Sequence, residues 1–289
     1  MKKMVSWACA TLALSASLAS LPMAQAASPD SLPPIESSAL TREVETLVQQ
    51  IKSGSLAAMT DEQVVKVFMQ LNPQAALAYL EATVKVLGEY ELWMRREERL
   101  ASGWTPQPFV NYIKYRHQPR QVYVKWLKGG PNAGQEIIYD ETQRKDAIYG
   151  HLGGLLSMVS MWTAMDGSMA RSNSNHTVRD LGLQPIVGII ASENRMRVKE
   201  GYSSAPDQVE VSRLGGERMV ALTWITPPSV TKAYSRKARI HVDIKQPMIR
   251  QIETWDDRGD MIERIAFDRV VPARFTDADF DPKNPDYAF

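Results

Sequence analysis

Strict alternation of apolar and polar side chains between Phe109 and Gly150 constrains this chain more than any other feature. In Gln121–Lys128 the residues Val122, Val124 and Trp126 fall on one face, and Tyr123 and Lys125 on the other. A period of two is the signature of a β-strand with one apolar face. Phe109–Arg116, Gln135–Glu141 and Asp146–Gly150 read the same way. Turn residues separate them: Gln118-Pro119, Gly129-Gly130-Pro131-Asn132 and Thr142-Gln143-Arg144. The stretch therefore predicts an antiparallel meander.

A second strand set follows near the C-terminus: Gln208–Leu214, Arg218–Ile225, Lys237–Lys245, Ile249–Asp256 and Met261–Asp268. Gly215-Gly216, Gln246-Pro247 and Asp257-Arg258-Gly259 supply short hairpin connections. Glu89–Leu100 carries Tyr90, Leu92 and Met94 at alternate positions and reads as a first, long strand, with a helical continuation as its competitor. Residues 39–88 are helical instead, with apolar stripes at Leu40, Val44, Leu47 and Ile51, then Val64, Val67 and Phe68, then Ala76, Leu77, Leu80 and Val84. Thr60-Asp61-Glu62-Gln63 has the form of a capping box. His176–Glu200 is expected to be mainly helical. The fold class that results is α+β: a strongly curved antiparallel sheet or unclosed β-barrel over 89–289, with helices packed on the concave side.

Lys2 and Lys3, the apolar stretch from Met4 to Leu21, and Ala24-Gln25-Ala26 follow the order of a secretory signal peptide cleaved after Ala26. Residues 27–38, rich in Pro and Ser, read as a disordered lead-in. Cleavage leaves 289 − 26 = 263 residues and a formal charge of 32 − 33 = −1. That neutrality argues against a nucleic-acid partner, which wants a basic excess. It also removes Cys9, the one cysteine, and with it any disulfide, thiol nucleophile or cysteine metal site. The expected compartment is the periplasm.

Catalytic templates fail on residue types. No G-x-S-x-G elbow, phosphate-binding glycine loop or H-E-x-x-H pair is present. His117, His151, His176 and His241 lack ligand-spaced neighbours and read as surface or loop histidines, so no metal and no cofactor is expected. A triad assembled in three dimensions stays open, because triads are defined by geometry. Asp277, Asp279 and Asp281 alternate as in a calcium loop, but Pro282 and Ala288 stand where Gly and Glu are needed. The tail reads instead as a docking segment pinned by Phe280, Tyr287 and Phe289. Arg95-Arg96-Glu97-Glu98-Arg99 is either a solvated face or a headgroup-binding patch at a cavity mouth. Leu152–Met165 is too short to span a membrane and is either core packing or a soft cavity wall. On the cavity reading, Val124, Trp126, Ile138, Met158, Trp162, Leu222 and Trp224 converge beneath the helices to line an apolar ligand site.

Four stretches carry a family resemblance: Glu97-Glu98-Arg99, Tyr115-Arg116-His117-Gln118-Pro119, Val122-Tyr123-Val124-Lys125-Trp126 and Gly134-Gln135-Glu136-Ile137-Ile138-Tyr139. Together with Asp279-Phe280-Asp281-Pro282 and Asn284-Pro285-Asp286-Tyr287-Ala288-Phe289, they resemble the bacterial family DUF1571. That family in turn looks like a distant relative of the LolA/LolB-type carriers and RseB-type sensors of the bacterial envelope. The resemblance implies an unclosed barrel plugged by helices. It also implies non-catalytic binding or carriage of a lipid or acyl-bearing molecule in the cell envelope. An RseB-like regulatory or assembly role, with an envelope membrane protein as partner, is the alternative, and a periplasmic hydrolase is the third reading.

Overall fold

The computed structural model describes residues 38–154 and 158–289. The export signal read at Met1–Ala26 lies outside the described residues. So do residues 27–37 and 155–157.

Three helices come first: α1 (Ser38–Lys52), α2 (Asp61–Met69) and α3 (Ala75–Lys85). Thr60 caps α2 as its spacing requires, with its hydroxyl taking the Gln63 amide while the Gln63 side chain returns to the Thr60 amide. The strands follow as β1 (Glu89–Leu100), β2 (Gly103–Trp104), β3 (Phe109–Arg116), β4 (Gln121–Trp126), β5 (Glu136–Asp140), β6 (Ala147–His151) and β7 (Met161–Ala164). A single turn, α4 (Ser168–Arg171), and the helix α5 (Leu183–Lys199) separate these from the second set. That set comprises β8 (Gln208–Leu214), β9 (Glu217–Ile225), β10 (Lys237–Asp243), β11 (Ile249–Trp255) and β12 (Met261–Pro272).

All join one antiparallel sheet in the order β7-β6-β5-β4-β3-β1-β12-β11-β10-β9-β8, with β2 hanging on β1. The two hairpin sets meet where β1 pairs with β12, so the first strand and the last form the seam. The sheet is curved and does not close, because β7 and β8 remain as its edges. Alternation decides which face is covered. Leu92, Met94, Ile113, Val122, Val124, Leu222, Ile240, Val242, Ile252, Ile265 and Phe267 point to the concave side. There they meet Leu47, Ile51, Phe68, Tyr79, Leu80 and Val187 of the helices. Each such side chain, fully buried, contributes about 1.5–3 kcal/mol.

The convex side has a small cluster of its own: Tyr123, Ile138 and Phe280, flanked by Tyr112, Phe275, Tyr287 and Phe289. The C-terminal tail provides most of it. None of the described helices is long and apolar enough to cross a membrane.

Candidate functional site

Helix α5 enters along a route that only glycine allows. The chain preceding it is shaped by Thr177 and Asp180, which cap each other in a 3-10 turn. Gly182 then takes a φ of 104°, and a Cβ there would stand 2.6 Å from the ring of Tyr115 and 2.9 Å from the hydroxyl of Tyr90. Those two rings are stacked 5.0 Å apart. The Tyr90 hydroxyl accepts from the Leu183 amide at 2.7 Å and donates to Gln184 at 2.8 Å, fixing the first turn of α5 on β1. Gly182→Ala is expected to lower stability by about 2 kcal/mol through left-handed strain and displacement of that stack, as measured by urea denaturation.

Between α5 and strands β1, β10, β11 and β12 lies a cavity walled by Met94, Leu181, Ile186, Ile190, Ile252 and Ile265 among others. Its volume is about 30 Å³, room for about two water molecules. One end is polar. Alternation along β1 continues past Met94, so Arg96 and Glu98 also point inward while Arg95 and Glu97 point outward. Arg96 Nε lies 2.9 Å from Glu98 Oε1. Glu98 also takes the Asn175 amide at 2.7 Å and the Ser174 hydroxyl at 3.3 Å. On β12, Glu263 meets His176 Nε2 at 2.9 Å, and the Tyr234 hydroxyl stands 3.1 Å from that same nitrogen. Glu193 of α5 accepts from the amide and the hydroxyl of Ser235.

Burial pulls the imidazole of His176 down, but the Glu263 carboxylate outweighs it and leaves the pKa raised. For Glu263, burial acts upward and the His176 and Arg96 charges prevail, holding it below the usual carboxylate range. Burial lifts Glu193 above that range and keeps Tyr234 protonated.

A second polar chain crosses the convex face. Ser212 Oγ lies 2.9 Å from His241 Nδ1, His241 Nε2 lies 3.4 Å from Glu253, and Arg264 donates to Glu253 at 2.9 Å. The order Ser–His–Glu has the look of a triad. However, none of these residues borders the cavity under α5, and the Glu253 charge is shared with Arg264. We read it as a structural relay. Burial tends to raise Glu253, yet hydrogen bonds from His241 and Arg264 bring it down to about 2 from 4.5. A carboxylate depressed on folding stabilises the native state above its unfolded pKa and loses that contribution as pH falls. The contribution, on the order of 3 kcal/mol at most, should disappear between pH 4.5 and about 2. Comparing the acid unfolding of Glu253→Gln with that of the native chain checks this, since the variant should lack this part of the acid limb.

The residues singled out for a ligand site are dispersed. Val124, Trp126, Leu222 and Trp224 lie in the main core, Trp224 donating to the Ser204 carbonyl at 3.0 Å. Ile138 faces the opposite side, under the tail. Met158 is 91% exposed, and Trp162 packs on Tyr149 with the Arg144 guanidinium 4.5 Å above its ring. None of the seven borders the cavity. The histidines also differ from their sequence reading, since His151 and His241 are buried and His176 sits at the cavity's polar end. The inward parity of Tyr90, Leu92 and Met94, extended two steps, is the signal that identifies Arg96 and Glu98.

No curated protein matches the chain. Among solved structures it is similar to an uncharacterized conserved protein from Thermus thermophilus, at 12% identity and a TM-score of 0.41 over 73% of this chain and 96% of that one. It is similar also to the Mycobacterium tuberculosis lipoprotein LppX, at 11% identity and a TM-score of 0.41, covering 72% of this chain and 98% of that one. A third likeness is to the Pseudomonas aeruginosa MucA/MucB complex, at 14% identity and a TM-score of 0.40 over 72% of this chain and 60% of the matched one. Residues 87–289 match the family described as "Protein of unknown function (DUF1571)", and the chain belongs to that family.

Proposed function

We propose that the protein is a non-catalytic binder or carrier of a lipid or acyl-bearing molecule in the bacterial envelope. It would be exported through a signal peptide cleaved after Ala26 and act in the periplasm. The observation that carries this reading is the apolar cavity under α5, whose sheet wall is Met94, Ala238, Ile252 and Ile265 and whose lid side is Leu181, Ile186, Ile189 and Ile190. An acyl chain needs hundreds of cubic ångströms, so loading requires α5 to move outward. The helix is suited to that. Gly188 lies in its interior, at a cost of about 1 kcal/mol relative to alanine, and its C-terminal half is tied down by separable polar bonds, Asn194 to Ser204 and Arg197 to Asp207.

Lipid extraction and mass spectrometry of the natively purified protein test the proposal. A stoichiometric acyl lipid is expected. A protein that is empty and also fails to take up added phospholipid sinks the carrier reading.

The alternative, an envelope regulator or assembly partner, draws on one different observation. Among the described residues the edge strand β7 is unpaired on its outer side, and its Met161, with Met158 and Val159 just before it, is exposed. Open edges with apolar flanks invite strand addition by another chain. An empty protein that co-purifies with a membrane protein would favour that role.

A further inference from the structure

Glu98 and Glu263 are direct partners across the β1–β12 seam. Both point to the buried face, and they are 0% and 4% exposed. Like charges directly opposite one another in a sheet repel, and two buried carboxylates need positive charge between them. His176 reaches the pair from the segment before α5, with Nε2 2.9 Å from Glu263. One ligand atom from each of the three residues lies within 4.8 Å of the others.

We propose that Glu98, His176 and Glu263 form a binding site for a divalent transition-metal cation of the zinc class. This goes beyond the lipid reading and does not depend on it. The ligand set selects the class. One imidazole nitrogen with two carboxylate oxygens suits zinc and its first-row neighbours, whereas calcium and magnesium want six or more oxygens. Oxygen and nitrogen ligands around a tetrahedral zinc stand about 3.3–3.6 Å apart. The widest pair therefore has to close by no more than about 1.5 Å, while the 2.9 Å His176–Glu263 contact opens slightly. A fourth position is at hand, because the Tyr234 hydroxyl is 3.1 Å from His176 Nε2 and the adjoining cavity has room for water.

Arg96 is the competitor. Its Nε touches Glu98 Oε1, but Oε2 takes a single bond, from the Asn175 amide, among those described, and a carboxylate oxygen accepts more than one. The carboxyl groups of Glu98, Glu263, Glu193 and Asp180 outnumber the Arg96 guanidinium around this cavity, a balance that favours a cation. A metal here would clasp residues 174–176 to the sheet and so fix the approach to α5.

The full chain, stripped with chelator and dialysed against micromolar zinc chloride, is expected to retain one zinc by elemental analysis. Loaded with cobalt(II) chloride instead, it should show the intense visible bands of four- or five-coordination. His176→Asn should lose both signals, whereas His241→Asn, which removes the other buried His–Glu pair, should keep them. Should His176→Asn fail to fold, Glu98→Gln replaces it, and the cobalt spectrum of the native chain needs no variant at all. Absence of zinc and of cobalt bands in the native chain overturns the proposal. So does retention of zinc by His176→Asn or Glu98→Gln at the native level.

Discussion

Phe280→Ala should lower the stability of the protein by about 3–5 kcal/mol, the range for removing a fully buried phenylalanine ring. Phe280 is 0% exposed although it lies close to the C-terminal Phe289. It sits against Tyr123 and Ile138 on the convex face, edge-on to Phe275, with the Arg116 guanidinium 5.2 Å above its ring. The segment around it is held by more than one contact. Tyr287 stacks on Tyr123 at 4.0 Å with planes 9° apart, and its hydroxyl donates to the Asp279 carbonyl. Lys114 pairs with Asp279 at 2.7 Å. The Arg116–Asp277 pair adds little, because Asp277 is 94% exposed and solvent screens it. Chemical denaturation of Phe280→Ala measures the loss, and deletion of residues 280–289 should cost at least as much. An unchanged midpoint in both would mean that the tail does not hold the convex face in solution.

How far the sequence could be read depends on which signal each element offers. Strands β1, β3 and β8 match their alternation to the residue and the other expected strands fall within a few positions, because one face of each is less exposed than the other. The helix expected from His176, by contrast, begins only at Leu183, after a 3-10 turn and Gly182. Strand β5 shows why the site was harder. All five of its residues are buried, since helices cover one face and the tail the other, so alternation cannot say which way Ile138 points. Periodicity also assigns a side chain to a face without saying what covers that face. Val124, Leu222 and Trp224 are inward, yet they belong to the close-packed core and not to the cavity's wall. The gap lies where α5 crosses the β1–β12 seam, and its position depends on Gly182 and the Tyr90–Tyr115 stack, which a strand pattern does not encode. The mixed-charge run at Arg95–Arg99 resembles a solvated face in composition. Its parity puts Arg96 and Glu98 inside, and parity is the stronger physical constraint.

That difference between a filled core and a wall with space beside it sets the response to introduced charge. Leu222 lies on β9, one strand in from the sheet edge, paired with Ile240 on one side and Val209 on the other, and is 0% exposed. Leu222→Asp therefore buries a carboxylate with no counter-ion and no route to water. The cost is several kcal/mol, a large share of a domain's total stability, and the protein should be unfolded or nearly so at room temperature by circular dichroism. Met158→Asp, at a residue mostly in solvent, should leave the unfolding midpoint within about 0.5 kcal/mol of the native value. Ile189→Asp lies between these limits. Ile189 is half-buried on the α5 side of the cavity, where a carboxylate can turn toward water, so the domain should fold with a loss of about 1–2 kcal/mol while an acyl chain is excluded by the charge. A folded Ile189→Asp variant that still co-purifies with as much lipid as the native chain would remove the cavity under α5 from the binding account. If Leu222→Asp folds normally, the buried face of β9 is not close-packed in solution.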